Sequence, residues 1–445
     1  MTSGTHALHS ANLTHTQDPR EDAASVAPGD IAVGVVIGRA SEYFDFFVYG
    51  IASVLVFPSV FFPFVDKLHG TLYAFALLAV AFVVRPIGTL VGMKVQERFG
   101  RGTKLTAALF LLGTSTVVMA LLPSFESAGL LAIVLLTLCR IGQGLALGGS
   151  WDGLPSLLAL NAPEKRRGWY AMLGQLGAPL GFFVACGIFA YLWANLSSGD
   201  FLTWGWRYPF FAAFAINVVA LFARLRLVVT HEYEQQMDEH ELDPCNVGEL
   251  FKQQGGNVFI GAFAALASYA LFHLVSVFPL SWINLYSQQE IGQFLSVELV
   301  GAVLAAMAMP VSGLIADKIG RRRTLGTLAV LIAAFSVVTP WLLGGGDLGQ
   351  DSFILIGFVL LGLSYGQSAG SVTSNFMPHF RYTGAALTAD MAWLLGAAFA
   401  PVTALFLSSR FGLGSLSVYL LSGVVCTLLA LRVNRRLRAA AVVQD

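Results

Sequence analysis

Arg39, Glu42 and Asp45 recur every three residues within GRASEYFDFFVYG, Gly38 to Gly50, inside a run that is otherwise apolar from Ile31 to Phe57. That spacing keeps the three side chains on one drifting stripe of a helix. A charge at the centre of a spanning helix costs about 2.5 to 3.5 kcal/mol on insertion scales, so the stripe must face protein or water. Two acids beside a guanidinium can carry a proton, hold an anion or neutralise one another. Arg39 can pair with Glu42 at i,i+3, which leaves Asp45 as the first candidate for proton coupling and Glu42 as the second. Three further ionisable groups stand in apolar surroundings: Arg140 in RIGQGLALGGSW, His273 alone in its stretch, and Asp390 in ALTADMAWLLG. A guanidinium stays charged at any relevant pH, so Arg140 can bind a carboxylate, tune a neighbouring acid or tie two helices together. Asp390 is a third proton-coupling candidate, with a contact to His273 or another helix as its structural alternative. Tyr43 and Gln143, close to these charges in sequence, join Arg39, Arg140 and His273 as candidate substrate ligands.

The elements that must position these residues are membrane spans. The chain of 445 residues is 56% hydrophobic and 12% charged, with a mean hydropathy of +0.71, outside the range of ordinary soluble domains. A bilayer core about 30 Å thick needs about 20 apolar residues per helix. Twelve windows of that kind fall at 31–58, 71–93, 104–122, 128–157, 168–194, 208–229, 257–285, 291–316, 324–345, 352–377, 382–408 and 413–434.

Basic residues orient them. Lys94, Arg98, Arg101 and Lys104, then Lys165 to Arg167, Lys318 and Arg321 to Arg323, Arg381, and Arg432, Arg435, Arg436 and Arg438 lie in the even-numbered connections and at the C-terminus. The odd-numbered connections hold only Lys67, Arg207 and Arg410. Basic residues accumulate on the cytoplasmic side, so both termini are expected there. These residues sit beside helix ends rather than in one patch, so membrane lipid is an expected partner and nucleic acid is not. Residues 1–30 read as a polar cytoplasmic tail without a signal peptide. Cys139, Cys186, Cys245 and Cys426 lie far apart and suggest neither disulfides nor a metal site.

The hydrophilic segment Thr230 to Gly256 divides the spans six and six. The expected organisation is a first half at 31–229, a cytoplasmic linker at 230–256, a second half at 257–434 and a tail at 435–445. Self-similarity supports the division: ERFGR at Glu97 to Arg101 is echoed by DKIGR at Asp317 to Arg321, Gly142-Gln143 by Gly366-Gln367, and Pro179 by Pro401. Parallel repeats of this kind place a substrate site near the midplane between the halves.

GLIADKIGRRR at Gly313 to Arg323 resembles the signature loop of the major facilitator superfamily, Gly-x-x-x-Asp-Arg-x-Gly-Arg-Arg, and GMKVQERFGRGTK resembles a degraded first copy. GRASEYFDFFVYG, RPIG at Arg85, RIGQGLALGGSW, WGWRYPF at Trp204 and RYTGAAL at Arg381 resemble its metabolite:proton symporter branch. The resemblance implies an all-α membrane protein of twelve transmembrane helices in two parallel six-helix halves. It implies a secondary transporter and not an enzyme, working by alternating access at the cell inner membrane, as a monomer and without a cofactor. Proton-coupled uptake of a small polar metabolite, an organic acid being favoured, is the leading expectation; a proton-coupled antiporter or exporter is the alternative. Glu42 and Asp45 fall where such symporters commonly carry acids, whereas Arg39 falls where a small or polar residue is more usual, and Arg140 matches the superfamily's intramembrane arginine.

The loop acids can cap the positive ends of neighbouring helices while its arginines reach carboxylates or helix C-termini, which makes Glu97, Arg98, Arg101, Asp317 and Arg321 a candidate gate. The branch usually reads GGEW in the fourth span, but here Ser150 replaces the acid and Asp152 follows. Two residues turn a helix by roughly 200°, so Asp152 does not simply take its place and is assigned to the gate, with Arg98 or Arg101 as partner. Gly177-Ala-Pro-Leu-Gly181 partly resembles an exporter motif, and kinks of that type also serve packing. GQSAG at Gly366 lacks the strand that a hydrolase nucleophile needs, and nucleotide-binding signatures are missing.

Overall fold

The computed structural model describes residues 28–151, 153, 163–228, 243–369 and 376–444. Twelve long helices dominate them: α1 (Pro28–Leu55), α2 (Lys67–Phe99), α3 (Arg101–Leu121), α4 (Leu130–Gly149), α5 (Arg167–Asn195), α6 (Tyr208–Val228), α7 (Val247–Tyr286), α8 (Ile291–Ile319), α9 (Arg321–Leu343), α10 (Gly346–Tyr365), α11 (Pro378–Phe411) and α12 (Gly414–Gln444). Eleven are long and apolar enough to cross a membrane. The exception is α1, whose apolar run is interrupted by Arg39, Glu42 and Asp45. Its interior position accounts for the tolerance, because from Ser41 onward it is buried without interruption to Leu55.

The two halves turn alike where the sequence repeats. Gly100 joins α2 to α3 at φ +83°, and Gly320 joins α8 to α9 at φ +86°. Each donates its N–H back to a helix carbonyl, Gln96 O and Ala316 O respectively, at 3.0 Å. A backbone in that region strains any residue with a Cβ, which explains the glycine in both ERFGR and DKIGR. These two turns, with Lys94, Arg98, Lys318 and Arg322 around them, mark what we call the basic end of the bundle.

Small residues set the spacing within each half. A Cβ on Gly148 of α4 would stand 2.1 Å from Arg85 O of α2, and one on Gly88 of α2 would stand 2.3 Å from Leu145 O. The second half repeats the arrangement, since a Cβ on Gly362 of α10 would stand 2.5 Å from Ala305 O of α8. Close backbone approach of this kind replaces the hydrophobic drive that lipid removes.

Two helices are broken along their length. Helix α7 starts at Val247, ahead of its apolar window, because Asn246 Oδ1 accepts from Gly248 N and Glu249 N at 2.9 and 3.3 Å and caps it. It is interrupted at Ala265 and Val277. The first break leaves Ala267 N free to donate to Thr427 Oγ1 of α12 at 2.9 Å, so a side chain of a neighbouring helix takes up a donor that the break releases. In α11 the α-helix Arg381–Ala392 widens into a π-helical turn, Trp393–Ala398, before Ala400–Phe411 resumes. Such turns cluster at functional sites, and this one delivers Trp393 to the seam between the halves.

Candidate functional site

The seam is filled by aromatic rings from both halves. Tyr43, Phe46 and Phe47 of α1 and Phe82 of α2 meet Phe272 and His273 of α7, Tyr365 of α10 and Trp393 of α11. Phe82 and Trp393 stack at 5.3 Å and 7°. The Tyr43 and Tyr365 hydroxyls are hydrogen-bonded to each other across the seam. Tyr43 Oη also donates to Gln175 Oε1 at 3.4 Å, and Gln175 Nε2 donates to Ser368 Oγ at 3.3 Å, so polar groups line one side of the cluster. His273 is fully buried and its ring lies 4.7 Å from that of Phe46. Neither imidazole nitrogen has a hydrogen-bond partner among the described residues.

The three charges of α1 separate into two environments. Arg39 Nη1 donates to Glu42 Oε2 at 2.8 Å, and Ser150 Oγ donates to Glu42 Oε1 at 2.9 Å. Both carboxylate oxygens are therefore occupied. Ser150 fits this arrangement, since a glutamate there would set a second carboxylate against Glu42. Asp45 is held differently. Asn217 Nδ2 of α6 donates to Asp45 Oδ2 at 2.6 Å while its own Oδ1 accepts from Ser41 Oγ at 2.5 Å. Asp45 Oδ1 is buried without a hydrogen-bond partner among the described residues.

Arg140 is 1% exposed. Its Nη2 and Nε donate to Leu78 O and Leu77 O of α2 at 2.6 and 3.3 Å, its Nη1 to Gln143 Oε1 at 2.6 Å, and the guanidinium stacks 3.9 Å from the Tyr49 ring. Gln143 passes the chain on, donating to Thr116 Oγ1 of α3 at 2.7 Å. These bonds tie α2, α3 and α4 together.

Asp390 has a partner that the sequence reading did not name. Arg85 Nε of α2 lies 2.9 Å from Asp390 Oδ1, and Thr89 Oγ1 donates to Asp390 Oδ2 at 2.5 Å. Of the two anticipated contacts, His273 or another helix, it is another helix, α2, that meets Asp390, while His273 stands in the aromatic cluster. An arginine inside a long apolar span was the available signal.

At the basic end, Asp317 Oδ1 and Oδ2 of α8 accept from Gly168 N and Trp169 N of α5 at 2.6 and 3.2 Å. The carboxylate caps the first turn of a helix in the other half, where the macrodipole is positive. Arg321 Nε donates to Gln367 Oε1 at 3.4 Å, and Gln367 Nε2 reaches back to Gly168 O at 3.2 Å. The first copy of the loop departs from this plan: Glu97 and Arg98 are exposed. Its contacts across the seam run through Lys104, whose Nζ donates to Gln96 Oε1, Trp151 O and Tyr382 Oη at 2.7, 2.6 and 2.8 Å. Arg101 lies 5.7 Å from the Tyr382 ring. Asp152 lies outside the described residues. At the opposite end, Asn284 Nδ2 of α7 donates to Val54 O of α1 at 3.4 Å, so the halves touch at both ends.

The glycines of Gly177-Ala-Pro-Leu-Gly181 face α1: Cβ atoms there would stand 2.6 Å from Ala40 N and 2.7 Å from Ala40 O. Helix packing accounts for that stretch.

Two halves closed on a polar and aromatic seam are the arrangement of a carrier, and residues 46–401 match the family model described as Major Facilitator Superfamily. The chain belongs to the major facilitator superfamily. Membership makes it a multi-pass membrane transporter and not an enzyme. It is 36% identical over 414 residues to the inner membrane metabolite transport protein YhjE of Escherichia coli strain K12, covering 92% of this chain and 94% of that one. To the shikimate transporter of the same organism it is 29% identical over 407 residues, covering 88% and 91%. Among solved structures it superposes on a D-xylose-proton symporter with a TM-score of 0.68 and 18% identity, over 90% of this chain and 97% of that one. That likeness reports the major facilitator fold of twelve helices.

Proposed function

We propose that this chain imports a small organic acid together with a proton, by alternating access across the inner membrane, with both termini and the basic end on the cytoplasmic side. One observation carries the coupling: of the three sequence-selected acids, Glu42 and Asp390 each have an arginine partner at ion-pair distance, and Asp45 has none among the described residues. An ionised Asp45 would be a buried charge hydrogen-bonded, among the described residues, by Asn217 alone, and binding a proton removes that cost. Asp45 therefore carries the proton in the closed carrier, with Glu42 and Asp390 as its reserve.

The substrate enters the aromatic seam. Tyr43 and His273 contact it there, the bare imidazole nitrogens offering one donor and one acceptor. Arg39 attracts the carboxylate. Arg140 and Gln143 support the site from behind, holding α2, α3 and α4 together. The names of the relatives support a metabolite, and shikimate, carried by one of them, is an organic acid. Asp317 and Arg321 close the α5–α8 seam at the basic end, and Lys104 and Arg101 close the α3–α11 side.

Asp45→Asn in proteoliposomes tests the reading. An imposed inward proton gradient drives accumulation of labelled organic acid by the parent protein, whereas the variant only equilibrates it. Exchange of labelled for unlabelled substrate persists, because exchange needs only the loaded carrier to reorient. Full accumulation by Asp45→Asn removes the residue from coupling, and gradient-driven efflux by the parent protein turns the assignment to an antiporter.

A further inference from the structure

Glu298 lies inside α8 and is fully buried, and sequence reading passed over it. Its Oε2 is 3.9 Å from Cys186 Sγ of α5, and its Oε1 has no partner among the described residues. Cys186 Sγ donates also to Leu295 O at 3.5 Å, so thiol and carboxyl sit in the packed interface between the two halves. Around them α5 and α8 stand at ordinary packing distance, since a Cβ on Gly292 would meet Trp193 at 3.6 Å and one on Gly187 would meet Leu299 at 3.7 Å.

Among the described residues no counter-charge approaches Glu298 from the helices packed on α8, Arg167 and Tyr170 of the first α5 segment lying at the basic end with Asp317. The Gly177–Asn195 part of α5 contains no Lys, Arg, Asp or Glu, and its titratable groups are Cys186 and Tyr191, the latter exposed. On α10 the acids are Asp347 and Asp351 near its start, Asp351 accepting from Gln289 Nε2 at 2.7 Å, and Tyr365 stands at its far end. The last part of α7 offers only Tyr286, and the arginines of α9 lie in its first turn at the basic end.

Two acids of α8 thus face α5, one at each end of the same seam. Asp317 accepts backbone N–H groups at the basic end, and Glu298, about 28 Å away along the helix, faces a weak thiol donor. We propose that Glu298 is a proton-binding latch on the α5–α8 seam, protonated while the end away from the basic loops is closed and ionised when that end opens to water. A neutral carboxyl is the form this fully buried position favours, since an ion there has only the weak Cys186 thiol donor among the described residues. Opening hydrates it, the proton leaves to the aqueous phase, and closure requires its return. A low pH on that side therefore favours closure. The inference rests on the alternating-access reading but not on Asp45 or on the substrate.

Cys186 itself reports the seam. In substrate-free purified protein with Cys139, Cys245 and Cys426 replaced by serine, alkylation of Cys186 by a maleimide is timed across pH with and without Glu298→Gln. Dividing one rate by the other removes the part of the thiol's titration common to both proteins, and the remaining effect of an ionised Glu298 on the thiolate opposes the expected rise rather than mimicking it. The expected ratio of parent to Glu298→Gln rises with pH, by up to tenfold per unit while one proton is released on opening. A ratio independent of pH overturns the proposal. If Glu298→Gln is not recovered folded, dicyclohexylcarbodiimide gives the answer on the parent protein, because it attacks protonated carboxyls. Modification mapped to Glu298 and fading as pH rises supports the latch, and none at any pH refutes it. A failure of symport leaves both readouts intact.

Discussion

Arg85 Nε lies 2.9 Å from Asp390 Oδ1, joining α2 of the first half to α11 of the second through a pair whose side chains are 8% and 3% exposed. Removing one member strands the other as a buried charge, a loss of about 3 to 5 kcal/mol, whereas removing both charges together is far milder. Asp390→Asn and Arg85→Gln should each lower the melting temperature in detergent, and the double variant should lie above either single one. Additive losses in that cycle would mean that the two side chains do not depend on each other.

How legible this was differs by residue. The twelve spans, the halves and the paired loops followed from apolar length and from ERFGR and DKIGR, because a bilayer constrains length and backbone turns constrain glycine. The Arg39–Glu42 pair was legible because i,i+3 neighbours share a helix face. Arg85 and Asp390, or Asp45 and Asn217, lie on different helices, and no local spacing encodes which ones become neighbours. Lys104 was read only as a cytoplasmic charge, whereas its long stem carries the ammonium to Tyr382 of the other half. Glu298 was missed although an acid within an apolar run is itself a signal.

The cap that Asp317 places on Gly168 and Trp169 should govern conformational cycling rather than binding. Asp317→Asn keeps one acceptor but loses the charge-assisted character of both bonds, about 1 to 3 kcal/mol at this contact. Transport should fall while substrate affinity by calorimetry stays within about twofold. A collapse of affinity with unchanged turnover would move Asp317 out of the gate.

Gly148 tests the spacing of α2 and α4 independently of any charge. A Cβ there meets Arg85 O at 2.1 Å and Thr89 N at 2.4 Å, which backbone atoms relieve only by moving the helices apart. Overpacking of this type costs typically about 1 to 3 kcal/mol and here strikes the two residues that hold Asp390. Gly148→Ala should reduce the yield of folded protein and the melting temperature, whereas Gly102→Ala, with nothing within 4 Å, should alter neither. Equal effects of the two would argue against the close approach.

Arg39 decides whether the stripe on α1 serves the substrate. Its Nη1 is engaged by Glu42 Oε2 at 2.8 Å, and Ser150 already occupies the other oxygen of that carboxylate. Glu42 therefore retains one donor when Arg39 is lost, and the helix survives the change. An arginine serving only Glu42 would leave substrate affinity untouched on substitution. A guanidinium that also receives a carboxylate contributes about 1.5 to 3 kcal/mol to it, or roughly 10- to 150-fold in Kd. Arg39→Gln should weaken binding of organic acids by that factor and leave a zwitterion such as betaine less affected, because the zwitterion's own cation offsets the lost attraction. Calorimetric titration of both ligand classes into parent and Arg39→Gln protein measures the difference. Unchanged affinity for the acids would return Arg39 to a purely structural pair with Glu42 and leave the anion preference to Arg140.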